Sequence, residues 1–94
     1  MGEINLGVEI LRAKSQGFKE YVKWFEQNRI IPIQQELTRL RGEQVYPDMR
    51  DWYERDLLRY EQELATLVSV KIEMEKFSKL LRHQADELEP EVQS

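Results

Sequence analysis

The chain contains no cysteine and little glycine or proline. Four glycines and three prolines among 94 residues are typical of long helices and unlike the composition of a β-sandwich. The missing cysteine excludes disulfides, thiolate nucleophiles and cysteine-based zinc sites, and it is compatible with a reducing compartment. We therefore expect a cytoplasmic protein.

Long apolar runs are lacking as well. No stretch approaches the eighteen or so apolar residues of a membrane-spanning helix, and no basic segment followed by an apolar core opens the chain. We expect a soluble, unprocessed chain with no membrane partner. Positive charge is not in excess, because 14 lysines and arginines stand against 18 acidic residues, a formal net charge of -4. This balance disfavours nucleic acid as a partner.

Helix-breaking residues divide the chain into few segments. Pro32 has no amide hydrogen, and in a straight helix its ring would clash with the carbonyl of Asn28, so we favour a break there over a single kinked helix. Gly42 is expected to cap the second helix and Pro47 to open the third, which leaves a linker short enough for an antiparallel hairpin. The prediction is one helical domain over 1–94, with helices at about 5–28, 32–41 and 47–88 and a disordered tail at 89–94.

The third predicted helix carries a seven-residue apolar repeat over five heptads. Its alternating steps of four and three residues are the pattern of a coiled-coil seam. A helix over 47–88 would be roughly 60 Å long, more than a compact monomer of this length needs. We therefore predict that the seam is an oligomer interface, formed by Tyr53, Leu57, Tyr60, Leu64, Leu67, Lys71, Met74, Ser78 and Leu81.

A second apolar stripe lies beside the seam, at Leu58, Ala65 and Ile72. Two stripes predict contacts with more than one helix, so we expect the N-terminal helix to cover this second stripe while the seam meets another subunit. Lys71 and Ser78 interrupt the seam, and polar residues at such positions often set register and oligomer number.

The first predicted helix is rich in aromatic residues and also has two apolar stripes. Most of these residues are predicted to be core, but tryptophan and tyrosine are favoured anchors of binding surfaces. Tyr21, Trp24 and Trp52 are therefore candidate partner-binding aromatics. The two stripes contain Ile10, Gly17, Tyr21, Trp24 and Ile31, and Leu11, Phe18, Val22 and Phe25.

Patterns for catalysis or metal binding are weak. His83 is the one histidine, and Leu80 occupies the position where a metal-binding helical bundle would carry glutamate. Acidic residues such as Asp51 and Asp56 have a basic residue three or four positions away and are interpreted as surface ion pairs. The isolated glycines form no phosphate-binding loop. We predict no enzyme, no cofactor and no metal.

These patterns predict an all-α fold: a helical hairpin or three-helix unit with one long C-terminal coiled-coil-like helix, assembling into an oligomeric helical bundle. The predicted function is a non-catalytic interaction module, acting as a scaffold, adaptor or small binding chaperone that forms a homodimer and binds another protein. The alternative is a small dimeric nucleic-acid-binding regulator. Its basic helix patch would contain Lys71, Lys76, Lys79, Arg82 and His83, with Arg39 and Arg41 as a second cluster.

Overall fold

The computed structural model describes residues 6–89, which form an all-α helical hairpin, as the sequence predicted. The first arm consists of three consecutive helical segments and the second arm is one long helix. The predicted disordered tail lies outside the described residues from 90 onwards. In chain order the elements are α1 (Leu6–Phe25), a π-helical turn (Glu26–Ile30), α2 (Ile31–Arg41), a 3-10 turn (Pro47–Met49) and α3 (Arg50–Leu88).

Two compact units make up the described chain, where the sequence predicted one helical domain. The first unit contains residues 6–23 and 72–89, and the second unit contains Trp24–Lys71. Each unit includes a stretch of both arms. Within residues 6–89, none of the helices combines the length and apolar character needed to cross a bilayer.

In the first unit, α1 and α3 pack antiparallel along a seam with heptad spacing. Arg12, near the start of α1, pairs with Asp86 and Glu89 near the end of α3. The seam side chains from both helices are buried or half-buried, and fully burying a valine or leucine contributes about 1.5 to 3 kcal/mol. From α1 they are Val8, Leu11, Ser15, Phe18 and Val22, and from α3 they are Met74, Ser78, Leu81 and Ala85.

In the second unit, the first arm contributes an apolar row that is more buried than the α1 seam residues of the first unit. Ile30 and Leu37 are each 2% exposed. The hydroxyl of Tyr53 on α3 donates a hydrogen bond of 2.6 Å to the carbonyl of Leu40, in the last turn of α2, where helical carbonyls lack donors from their own helix. The row consists of Phe25, Ile30, Ile33, Leu37 and Leu40.

The first arm remains helical across Pro32, so the break that we favoured there is wrong. Phe25 and Ile31, on either side of the π-helical turn, have right-handed helical dihedrals, and the amide of Ile31 donates to the carbonyl of Glu26, five residues back. A π-helical turn holds one extra residue and relieves the clash that proline causes in a regular helix. The same extra residue explains why the buried row steps by five residues from Phe25 to Ile30.

Gly42 ends α2 without adopting a left-handed conformation. Its dihedrals are φ −90° and ψ −5°, and its amide lies 3.2 Å from the carbonyl oxygens of Thr38 and Arg39. A short linker then leads to the 3-10 turn that begins at Pro47, and α3 starts at Arg50. The hairpin turn therefore lies between Gly42 and Pro47.

Candidate interaction surface

The residues predicted to form the oligomer interface face the first arm of the same chain. Leu67, Ser78 and Leu81 are 9% exposed or less, and the other six are half-buried. Leu58 and Ile72 of the second stripe are instead 55% and 45% exposed. The structure reverses the expected assignment of the two stripes, because the seam of α3 finds its apolar partner in the first arm.

Ser78 interrupts the seam because it pairs with Ser15. Each hydroxyl donates a 2.8 Å hydrogen bond to the backbone carbonyl of the other serine, and the two hydroxyl oxygens lie 3.2 Å apart. Both side chains are buried, so each polar atom needs its partner. Such short side chains reach a facing backbone only where helix axes approach to roughly 8 Å, the close end of helix packing. The pair fixes the relative position of the arms in the first unit.

Lys71 interrupts the seam in the second unit, where it meets a carboxylate. Its Nζ lies 3.2 Å from Oε1 of Glu26, the first residue of the π-helical turn, and the two side chains are 24% and 44% exposed. Lysine carries its charge to the edge of an apolar seam along a long apolar stem. The structure therefore places Lys71 in an ion pair between the arms.

The first unit has two chemically different sides. Phe18 and Phe77 meet edge to face, with ring centroids 5.1 Å apart, and this contact lies on one side of the seam. Asp86, which pairs with Arg12, is nine residues from Phe77, and this spacing turns a helix by about 180°. The ion pair between the arms therefore lies on the opposite side of the seam from the aromatic contact.

The side that carries the aromatic contact is apolar, and we call it the apolar side. Its large side chains are 45% to 57% exposed. The opposite side, the charged side, presents Arg12, Lys19, Lys23, Glu75, Arg82 and Asp86. The apolar side contains Ile10, Gly17, Tyr21, Phe77, Leu80 and Leu88, and the exposed polar residues Lys14, Glu73, Gln84 and Glu87 lie beside them.

Gly17 lies within the apolar side, in the middle of α1. A Cβ atom added there would meet no atom within 4 Å. A glycine in a helix interior costs about 1 kcal/mol relative to alanine. Because no neighbour within the first unit occupies this space, packing inside the unit does not require the glycine.

The three candidate partner-binding aromatics are all exposed. Tyr21 is 50% exposed, Trp24 49% and Trp52 70%. On α1, Phe18, Val22 and Phe25 are buried or half-buried, so the second predicted stripe supplies the core, while the first is exposed except for the half-buried Ile31. Exposure of this kind suits anchors of a binding surface, and their role stays a prediction.

Carboxylates accompany most of the predicted basic patch. In addition to the ion pair of Lys71, Nζ of Lys76 lies 3.5 Å from Oε1 of Glu73, and Nε2 of His83 lies 3.1 Å from Oε1 of Glu87. Arg41 lies 3.2 Å from Glu61. Acidic groups this close reduce the positive potential that a phosphate backbone would meet.

Two arginines have perturbed pKa values. Arg39 donates to Glu36 and Glu43, and the hydrogen bond with Glu36 raises the pKa of Arg39 and lowers that of the Glu36 carboxyl. The hydrogen bond to Glu89 raises the pKa of Arg12. Each shift favours the form already charged at neutral pH, so these groups act as surface ion pairs, which contribute little to stability.

Sequence reasoning identified the α1 stripe of the apolar side but missed Ser15 and the α3 half of that side. The available signal for Ser15 was its heptad spacing from Val8 and Val22, but a serine was not counted as a seam residue. For the α3 half of the apolar side, the signal is the eleven-residue spacing of Phe77 and Leu88, which is three helical turns and differs from the heptad spacing of the main seam.

The fold and this surface define a class of protein: a small helical hairpin with one apolar and one charged side in its first unit. Comparison with known proteins adds no closer identification. The chain matches no family model, no curated protein and no solved structure.

Proposed function

We propose that this protein is a non-catalytic, cytoplasmic helical interaction module, which self-associates and serves as a scaffold, adaptor or small binding chaperone for another protein. The observation that carries the proposal is the apolar side of the first unit. Its large side chains are about half exposed while the other side of the same unit is charged. Apolar patches of this size on small proteins often mark interaction sites.

The small buried core supports the same function. Two packed helices bury only one stripe each, and in the first unit that stripe includes two serines, Ser15 and Ser78. Small domains have little apolar burial to offset the entropy of folding, and oligomerisation is a common way to add it. Association through a further face would therefore stabilise the hairpin.

Static light scattering across a dilution series tests self-association. We expect a mass of twice 11.4 kDa at micromolar concentration, and a melting temperature that rises with protein concentration because association stabilises the folded state. A mass of 11.4 kDa throughout the series, with a melt independent of concentration, would overturn self-association.

Binding of another protein is tested separately at Trp52, an exposed aromatic in the second unit. A photo-reactive phenylalanine analogue placed there should yield a covalent product with a different protein in the native host. The same analogue at Glu54, exposed on the same helix, serves as the control. Equal product from both positions, or none, would remove this surface as a partner-binding site.

A further inference from the structure

We propose that the apolar side of the first unit docks onto the same side of a second copy of this chain, so that two hairpins form a four-helix bundle. This inference rests on the self-association proposed above and identifies the surface that mediates it. The inference is based on two exposed apolar stripes that lie side by side in the first unit. The α1 stripe contains Ile10, Gly17 and Tyr21, and the α3 stripe contains Phe77 and Leu88.

The exposed area of this side matches what one copy contributes to a dimer. A free aromatic side chain has about 150 to 250 Å² to bury and an isoleucine or leucine has less, so five that are about half exposed present roughly 400 to 500 Å². Interfaces are about 60% apolar, so an interface built on this apolar area would cover roughly 700 to 800 Å² on each copy. That is close to the usual contribution per partner in a stable complex.

The apolar side has both a notch and projecting side chains, the two features that a self-complementary patch needs. Gly17 leaves a notch in α1 with nothing within 4 Å of a Cβ position, and the bulky side chains of Tyr21 and Phe77 stand about half exposed on the same side. A two-fold dimer presents the same patch twice, so a patch with both a projection and a notch can fit itself. Packing inside the first unit does not require a glycine at position 17. A second copy that fills the notch would require it.

Charge favours docking at this side over the opposite side. Lys14, Glu73 and Glu87 are exposed charged residues beside the apolar stripes on α1 and α3, one basic and two acidic, against the six charged residues of the charged side. The charged side is a poor alternative, because docking there would remove several charged groups from water. A side with few charged residues and with exposed apolar area fits another copy of itself, and Lys14 of one copy can offset a glutamate of the other.

Two isoleucines of the first unit provide a matched test. Ile10 is on the apolar side and 53% exposed, and Ile72 is on the second stripe of α3 and 45% exposed. We expect Ile10→Lys to weaken dimerisation at least a hundredfold in sedimentation equilibrium, because lysine would carry a charge into the interface, and Ile72→Lys to change it less than threefold. Circular dichroism verifies that both variants remain helical.

Each outcome decides a different point. If the unaltered chain is dimeric and Ile10→Lys dimerises equally well, or if Ile72→Lys dissociates the dimer instead, the docking side is wrong while self-association stands. If the unaltered chain is monomeric at every concentration, the proposed self-association fails and this inference fails with it. Should Ile10→Lys unfold, Leu88→Lys on the same side replaces it, with the same expected loss of dimer.

Discussion

The π-helical turn predicts a strong energetic coupling between deletion of Gln27 and replacement of Pro32. Gln27 is exposed within the turn. Its deletion shortens the step from Phe25 to Ile30 from five residues to four, which restores the heptad of the first arm as a regular α-helix. That regular helix brings back the clash between the proline ring and the carbonyl four residues earlier. The deletion therefore keeps the buried row in register but makes Pro32 clash, and Pro32→Ala removes that clash.

The expected magnitudes follow from the cost of an interior proline. In the intact chain the turn already accommodates Pro32, so Pro32→Ala should change the free energy of unfolding by less than about 1 kcal/mol. In the deletion background the same replacement should stabilise the protein by about 3 kcal/mol, the cost of proline inside a regular helix. The double-mutant cycle should therefore give a coupling energy of about 2 to 3 kcal/mol.

Urea unfolding followed by circular dichroism, at one protein concentration, measures all four proteins. Deletion of Gln35 is the matched control, since this exposed glutamine lies between Ile33 and Leu37 in a regular part of the first arm. Its loss rotates the buried Leu37 and Leu40 by about 100° off the seam, for an expected cost of about 3 to 6 kcal/mol. Equal stabilisation by Pro32→Ala with and without Gln27, or equal cost for the two deletions when each is made in the Pro32→Ala background, would refute this reasoning.

Three further predictions concern the contacts between and within the arms. Ser15→Leu should destabilise the hairpin by about 1 to 3 kcal/mol in urea unfolding, because the close approach of the helices leaves no room for a leucine side chain. Ser15→Ala should cost less than about 1 kcal/mol, since the higher helix propensity of alanine offsets the lost hydrogen bond. Equal costs for the two variants would contradict the close approach. Tyr53→Phe should lower the free energy of unfolding by about 0.5 to 1.5 kcal/mol, through the lost hydrogen bond to a carbonyl of α2; an unchanged urea midpoint would show that this bond contributes nothing. Glu36→Gln should be slightly less stable than the unaltered chain at pH 7, and the difference should shrink as the pH falls through the lowered pKa of Glu36, because protonation removes its ion pair with Arg39. A difference that does not change with pH would exclude this origin.

The hairpin itself could be predicted because its signals are local. The glycine at 42 and proline at 47 bracket the turn, and the heptad of α3 indicates a long helix before any packing is known. The π-helical turn was harder to foresee, since proline alone predicts either a break or a kink. The deciding signal was the five-residue step in the apolar row of the first arm, which becomes visible only when Phe25 and Ile30 are known to share one seam.

The direction in which α3 faces could not be derived from α3 alone. Both of its stripes are apolar, so its own pattern allows either one to face inward. The choice depends on the facing arm, where Ser15 complements Ser78 and where Glu26 complements Lys71. Each of these polar pairs joins residues of two different helices, so it cannot be recognised from the sequence pattern of α3 alone.

The self-association of this hairpin through its apolar side is tested most directly by distances between two copies. The chain has no cysteine, so a single spin label can be attached at Gln84→Cys, which lies on the apolar side between Leu80 and Leu88, or at Arg82→Cys, which lies on the charged side of the same helix at nearly the same height. Each helix layer is about 10 Å thick. Docking through the apolar side therefore predicts a label-to-label distance for Gln84 about 20 Å shorter than that for Arg82. A shorter distance for Arg82, or no dipolar coupling from either label, would contradict it.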